Sequence, residues 1–84
     1  MSPSVFARLR KVVVEQLGVD EDDVTPEAYF GDDLNAGQDE VLDLVTALEE
    51  EFGIEFPPDE AARLFRGDES TVKGALEYLE EMLD

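Results

Sequence analysis

Val41, Val45, Leu48 and Phe52 step by four, three and four residues, with Leu42 and Leu44 beside them. Apolar residues at that period form one face of an α-helix, and Asp39, Glu40, Asp43, Glu49, Glu50 and Glu51 fill most of the remaining face. Gly53 supplies the stop. Acids in the first turn suit the positive end of the helix dipole, whereas the Glu49 to Glu51 cluster in the last turn opposes it. That cluster is unfavourable locally, which points to a role outside the fold.

The other elements arrange themselves around this helix. Ser2-Pro3 places a capping hydroxyl before a proline suited to the first helical position. Phe6, Leu9, Val13 and Leu17 then recur at helical spacing, so a first helix is predicted over 3–17, ended by Gly18. The acidic connection over 18–38 is long for a compact domain, yet Val19, Val24, Phe30 and Leu34 are spaced through it as if pinning it to a core, and Thr25-Pro26 suits a single helical turn. Ile54-Glu55-Phe56-Pro57-Pro58 must be extended, because each proline disfavours helix in the residue before it. A short helix over 59–65 has Ala61, Ala62, Leu64 and Phe65 as its apolar content, followed by the polar loop Arg66-Gly67-Asp68-Glu69. Ser70 or Thr71 caps a final helix in which Val72, Ala75, Leu79 and Met82 share a face. The expectation is an all-α fold: a small antiparallel four-helix bundle, three main helices and one short, with a long first connection, as one domain over 1–84. With 43% apolar residues, five Phe and two Tyr, an 84-residue chain can form a compact core.

Charge and missing residue types narrow the function. With 23 acids against 6 bases the formal charge is −17, which excludes a nucleic-acid binder working by phosphate neutralisation. Zero Cys and zero His remove disulfides, thiolate nucleophiles, imidazole bases and His-ligated metals. No run such as Val12-Val13-Val14 approaches the roughly 20 apolar residues that span a bilayer. No cationic stretch leads into an apolar segment near the start, so a soluble cytoplasmic protein is expected. All six bases lie outside the segment from Val12 to Ala62, which holds 17 acids and therefore the whole net charge. Solubility needs less than this, and such a field steers association with basic protein surfaces.

In order along the chain stand Glu15-Gln16-Leu17-Gly18-Val19, Val24-Thr25 with Ala28 and Phe30, Asp33-Leu34, and Leu44-Val45 with Ala47-Leu48-Glu49-Glu50-Glu51-Phe52. Pro57, Thr71-Val72 and Tyr78 follow. In this order and separation they resemble the acyl carrier proteins across nearly the whole chain. The resemblance implies a small acidic four-helix bundle that presents acyl or peptidyl intermediates to basic acyl-processing enzymes. It also implies a 4′-phosphopantetheine cofactor, attached as a phosphodiester to the serine of an Asp-Ser-Leu motif at the start of the second helix. A hydroxyl is needed there to attack phosphorus, and a helix N-terminus tolerates the phosphate produced.

The aligned triplet here is Gly37-Gln38-Asp39, and the serines are Ser2, Ser4 and Ser70. A glutamine amide is not a usable nucleophile, so no cofactor is expected. All three motif positions differ, which favours divergence over an engineered knock-out. Gln38 then reads as a solvent-exposed residue near the helix start, with Asp39 favourable in the dipole and Gly37 letting the loop turn.

Other constellations carry less. Counting Asp32 as first, Gly37 falls sixth as in a calcium loop, but Leu34 and Ala36 offer no side-chain oxygen at the third and fifth places and Asp43 stands at the twelfth. No dedicated metal site is expected, only weak divalent binding that relieves self-repulsion. Two unit charges about 10 Å apart repel by roughly 0.4 kcal/mol in unscreened water, so salt, magnesium or calcium should raise the melting temperature. Paired carboxylates for glycosidase-type chemistry lack a pocket, and an enzyme is not expected. Phe6, Phe30, Leu48, Phe52, Phe56 and Leu64 are the candidates for an acyl cavity, although core packing is the commoner fate of such residues.

The leading expectation is therefore a monomeric, non-enzymatic, acyl-carrier-like interaction module. Asp39, Glu40, Asp43, Glu49 and Glu50 would meet Arg or Lys of a partner, with Val41 or Leu44 as apolar contacts near the rim, and charge reversal at Glu49 and Glu50 would slow association. The alternative is an acyl carrier of fatty-acid or polyketide-type biosynthesis holding its acyl group by another attachment or non-covalently.

Overall fold

The structure is a computed structural model, and it describes residues 4–66 and 69–83. Among these, four helices follow in order: α1 (Val5–Leu17), α2 (Gln38–Phe52), α3 (Pro58–Phe65) and α4 (Val72–Leu83), with a 3₁₀ turn at Glu21–Asp23. They form the all-α small bundle expected. α1 packs against α2 and α4, and α3 against α4. Leu9, Val13, Phe30, Leu44, Leu48, Val72 and Leu79 form the fully enclosed centre of the core.

Helix ends follow local chemistry. The expected Ser2-Pro3 cap lies outside the described residues; α1 begins at Val5, with the hydroxyl of Ser4 accepting from the Ala7 N–H at 3.1 Å. Gly18 and Gly53 close α1 and α2 in the left-handed conformation, at φ 67° and 65°, where a side chain would be strained. Pro58 is the first residue of α3 rather than the end of the extended stretch, as its missing N–H allows. Thr71 caps α4, accepting from the Gly74 N–H at 3.3 Å. Ser70 instead points back, buried, and its hydroxyl donates to the carbonyls of Arg63 and Arg66 at the end of α3. The expected loop over 66–69 includes Gly67 and Asp68, which lie outside the described residues.

The long connection is a structural part of the bundle. Val24, Ala28, Phe30 and Leu34 are buried, while Val19 is half-buried. Its backbone satisfies the start of α4: the N–H groups of Val72 and Lys73 donate to the carbonyls of Ala28 and Pro26, and the Phe30 N–H donates to the Ser70 carbonyl. The Val72 and Lys73 amides are orphans at a helix start, which otherwise need water or a capping side chain. Thr25-Pro26 begins a simple turn closed by the Ala28 N–H on the Thr25 carbonyl, and the helical turn expected there falls earlier, at Glu21–Asp23. Met82, expected to share the apolar face of α4 with Val72, Ala75 and Leu79, is 48% exposed, whereas those three are buried.

Candidate functional site

Helix α2 presents every residue singled out for partner contact, and its burial pattern divides them. Val41 and Leu44 are 3% and 0% exposed and belong to the core, so neither can serve as a rim contact. The buried stripe runs Val41, Leu44, Leu48 and Phe52, which leaves Leu42 outward at 57% exposure as the apolar side chain of that face. Asp39, Glu40, Asp43 and Glu50 are exposed alongside it.

The start of α2 has distinctive chemistry. Gly37 is the N-cap and contributes no side-chain hydrogen bond, while the first turn carries Asp39 and Glu40. Gly37 sits at φ −75°, ψ −177°, an extended backbone open to any residue; the left-handed residue of this approach is Asn35, at φ 55°. A Cβ on Gly37 would lie 3.4 Å from the Glu40 carboxylate, so the space over the cap already holds negative charge. Gln38 is exposed, as expected. Carboxylates here meet the positive end of the dipole and partly occupy its field.

The residues present do not suit an attached phosphodiester. The first turn of α2 offers a carboxamide, two carboxylates and a valine. The described hydroxyls stand elsewhere or are committed: Ser4 and Thr71 cap helices, Ser70 ties down α3, and Thr46 donates to the Leu42 carbonyl at 3.0 Å. Thr25 and Tyr29 belong to the first connection, and Tyr78 stacks on Phe56.

At the other end of α2 two acids of the triplet, Glu49 and Glu51, are used within the fold, whereas the placement of all three suggested an outside role. Arg8 of α1 donates through Nε to Glu51 Oε2 at 2.9 Å and through a terminal nitrogen to the Glu51 carbonyl at 2.7 Å. Its guanidinium lies 4.4 Å from the centre of the Phe52 ring. A cation thus sits at the negative end of the dipole, offsetting the repulsion among the acids. Glu49 Oε2 accepts from the Phe56 N–H at 2.8 Å, and the Glu49 carbonyl accepts from Gly53 and Ile54. Glu49 organises the turn into α3 and is not a free docking charge. Only Glu50 of the three has no hydrogen bond or ion pair among the described residues. Pairing across 43 positions gave no sequence signal.

Among the described residues, none of the four openings is lined by more than one of the six candidate cavity residues. Phe30, Leu48, Phe52, Phe56 and Leu64 are core and Phe6 is partly buried, so packing claims them. Phe65 and Tyr78, not singled out beforehand for this role, complete the aromatic packing: Phe30 and Phe56 meet Phe65 edge-on at 5.2 and 5.5 Å, and Tyr78 stacks on Phe56 at 5.3 Å. Of the six, Phe56 alone borders an open cleft of about 270 Å³ between α2 and α3, which Leu42, Val45, Pro58, Ala61 and Ala62 also line. On the opposite flank of α2 lies a polar depression of about 290 Å³ lined by Gln16, Asp43, Thr46, Ala47 and Glu50.

The first connection holds a third depression, lined by Asp22, Asp23, Thr25, Glu27, Ala28 and Asp33. Asp33 there accepts from the Tyr29 N–H at 2.8 Å, so it shapes the turn. Among the described residues no three carboxylates gather as a metal site would require. No described helix is long and apolar enough to cross a membrane.

Residues 7–66 match the protein-family model described as PP-binding, phosphopantetheine attachment site.

Proposed function

This chain belongs to the phosphopantetheine-attachment family, and from that premise we propose that it is an acyl-carrier-like domain that has lost the attachment serine and serves as a non-catalytic acidic docking module. The observation that supports the reading is the first turn of α2, which holds Gln38 with Asp39 and Glu40 and no hydroxyl; Gln38 is the residue that the resemblance aligns with the attachment serine. The first turn of α2 carries no hydroxyl to take up the arm, and its carboxylates oppose an incoming phosphate. What remains is the outer face of α2, with Asp39, Asp43 and Glu50 exposed in a segment without bases, a field suited to basic acyl-processing enzymes. The domain spans 1–84 in this reading and works as a cytoplasmic monomer.

Incubation with coenzyme A and a promiscuous phosphopantetheinyl transferase, followed by intact-mass measurement, tests the first half. No mass gain is expected, whereas a triple variant Gly37→Asp, Gln38→Ser, Asp39→Leu should take up the arm. A gain on the unaltered chain would overturn the reading. Docking is tested on the same transferase by stopped-flow association. Because Glu49 is committed to the Phe56 N–H, charge reversal belongs at Asp43 and Glu50, where it should slow association about tenfold and flatten its salt dependence. Equal on-rates would remove the docking idea.

A further inference from the structure

α3 is the shortest of the four helices, and side chains of other elements fix the chain at both of its ends. On its approach Glu49 of α2 holds the Phe56 N–H at 2.8 Å. At its end the chain leaves through Arg66 in an extended conformation, φ −109° and ψ 160°, so no left-handed residue closes the last turn as Gly18 and Gly53 close theirs. The last carbonyls of a helix then need another donor. Ser70 supplies it: its hydroxyl donates to the Arg63 carbonyl at 3.0 Å and to that of Arg66. Among the described residues it is the one buried polar side chain.

The backbone of the same residue holds the first connection. The Ser70 carbonyl accepts the Phe30 N–H at 3.0 Å, Tyr29 pairs with Thr71 as an isolated antiparallel bridge, and the Val72 N–H donates to the Ala28 carbonyl. A second link runs through the core, where the Phe30 ring meets Phe65 of α3 edge-on at 5.2 Å. The end of α3 and the segment over 28–30 therefore rest on one residue, the first through its side chain and the second through its main chain. Segments that share their supporting contacts open together as a cooperative unit. We propose that Ser70 is a two-sided latch, and that the end of α3 and the segment over 28–30 open as one. A contact that loosens α3 is then felt in the connection leading to α2, and the converse holds by linkage. The proposal is independent of the docking reading above.

The test is native-state amide exchange, followed by NMR at low denaturant on the unaltered chain and two variants. On the unaltered chain the amides of Leu64, Phe65 and Arg66 and those of Phe30 and Val72 should share one opening equilibrium and one denaturant slope. That slope should be smaller than for Val12 and Val13, buried in α1, which report global unfolding. Ser70→Ala removes the donor shared by the two α3 carbonyls and should speed exchange in both groups by a common factor of about ten. Asp33→Ala removes the acceptor of the Tyr29 N–H, a contact made wholly within the connection, and should speed the α3 amides as much as Phe30. Different slopes for the two groups, a Ser70→Ala effect confined to α3 or absent, or an Asp33→Ala variant with α3 unchanged would each mean separate openings and overturn the proposal. A common slope equal to that of Val12 and Val13 overturns it too, because the bundle then opens only as a whole. If Ser70→Ala does not fold, the slopes of the unaltered chain and the Asp33→Ala variant decide the matter.

Discussion

The two ends of α2 carry similar charge and put it to different uses. At the C-terminal end Glu49 holds the Phe56 amide and Glu51 holds Arg8 of α1. Across the N-terminal half Asp39 and Asp43 lie exposed, without a hydrogen-bonded or ionic partner among the described residues. This division follows the helix dipole, since the N-terminal acids are stabilised by the helix itself while the C-terminal ones need outside help. That help comes from other elements of the bundle. Acidity in one helix thus separates into carboxylates that join elements and carboxylates that remain for something outside.

The sharpest way to break this contrast is to remove Arg8. Arg8→Ala deletes two hydrogen bonds, an ion pair and the contact with the Phe52 ring, and leaves the acid triplet facing the negative end of the dipole. The side chains of the pair are 34% and 37% exposed, so solvent screening reduces the ionic part. A loss of about 1–2 kcal/mol is expected, read as a lower denaturant midpoint at constant slope. Glu49→Ala comes next: the Phe56 N–H loses its acceptor, at about 1 kcal/mol. Glu49→Gln keeps an oxygen in place and should recover most of that loss, which separates hydrogen bonding from charge.

Much of this arrangement was readable from the residues before the fold was seen. The four helices, the left-handed glycines that end two of them and the pinned first connection follow from apolar period and capping chemistry. The phase of the α2 stripe did not. Steps of three and four fit both Val45 and Leu44 as the inward position, and the choice depends on how α1 and the connection pack against the helix, so Leu44 goes in fully and Leu42 out. The same limit applies to the site. The composition of the first turn of α2 was plain, whereas the commitment of Glu49 and Glu51 required knowing that Phe56 and Arg8 come within 3 Å of them. Charge runs show how much charge there is and leave its partners to tertiary structure.

Neutralising the exposed acids is the complement of the Arg8 experiment. Asp43→Asn with Glu50→Gln removes two charges that hold nothing in the described fold and that repel their many neighbours. Stability should stay the same or rise, by less than about 0.5 kcal/mol, and the rise should shrink as salt screens the remaining charges. A clear loss of stability would show that these two carboxylates belong with Glu49 and Glu51 after all.

Glu60 on α3 is an intermediate case, an acid whose partner lies on its own helix. Arg63 donates to its Oε2 at 2.7 Å, and that hydrogen bond, with the attraction of the guanidinium, holds the Glu60 carboxyl below its ordinary range. A carboxyl depressed on folding contributes stability above its unfolded titration range and loses it as pH falls through the lowered folded value. The acid limb of the pH–stability profile should therefore contain a small Glu60 component. Arg63→Ala should return the Glu60 titration, followed by side-chain carbonyl NMR, toward that of a free glutamate. Both groups lie at the surface, so the melting curve near neutral pH should barely move. A large drop in stability at neutral pH would place this local pair with the long-range Arg8–Glu51 contact and remove the distinction between acids that join elements and acids that only decorate one.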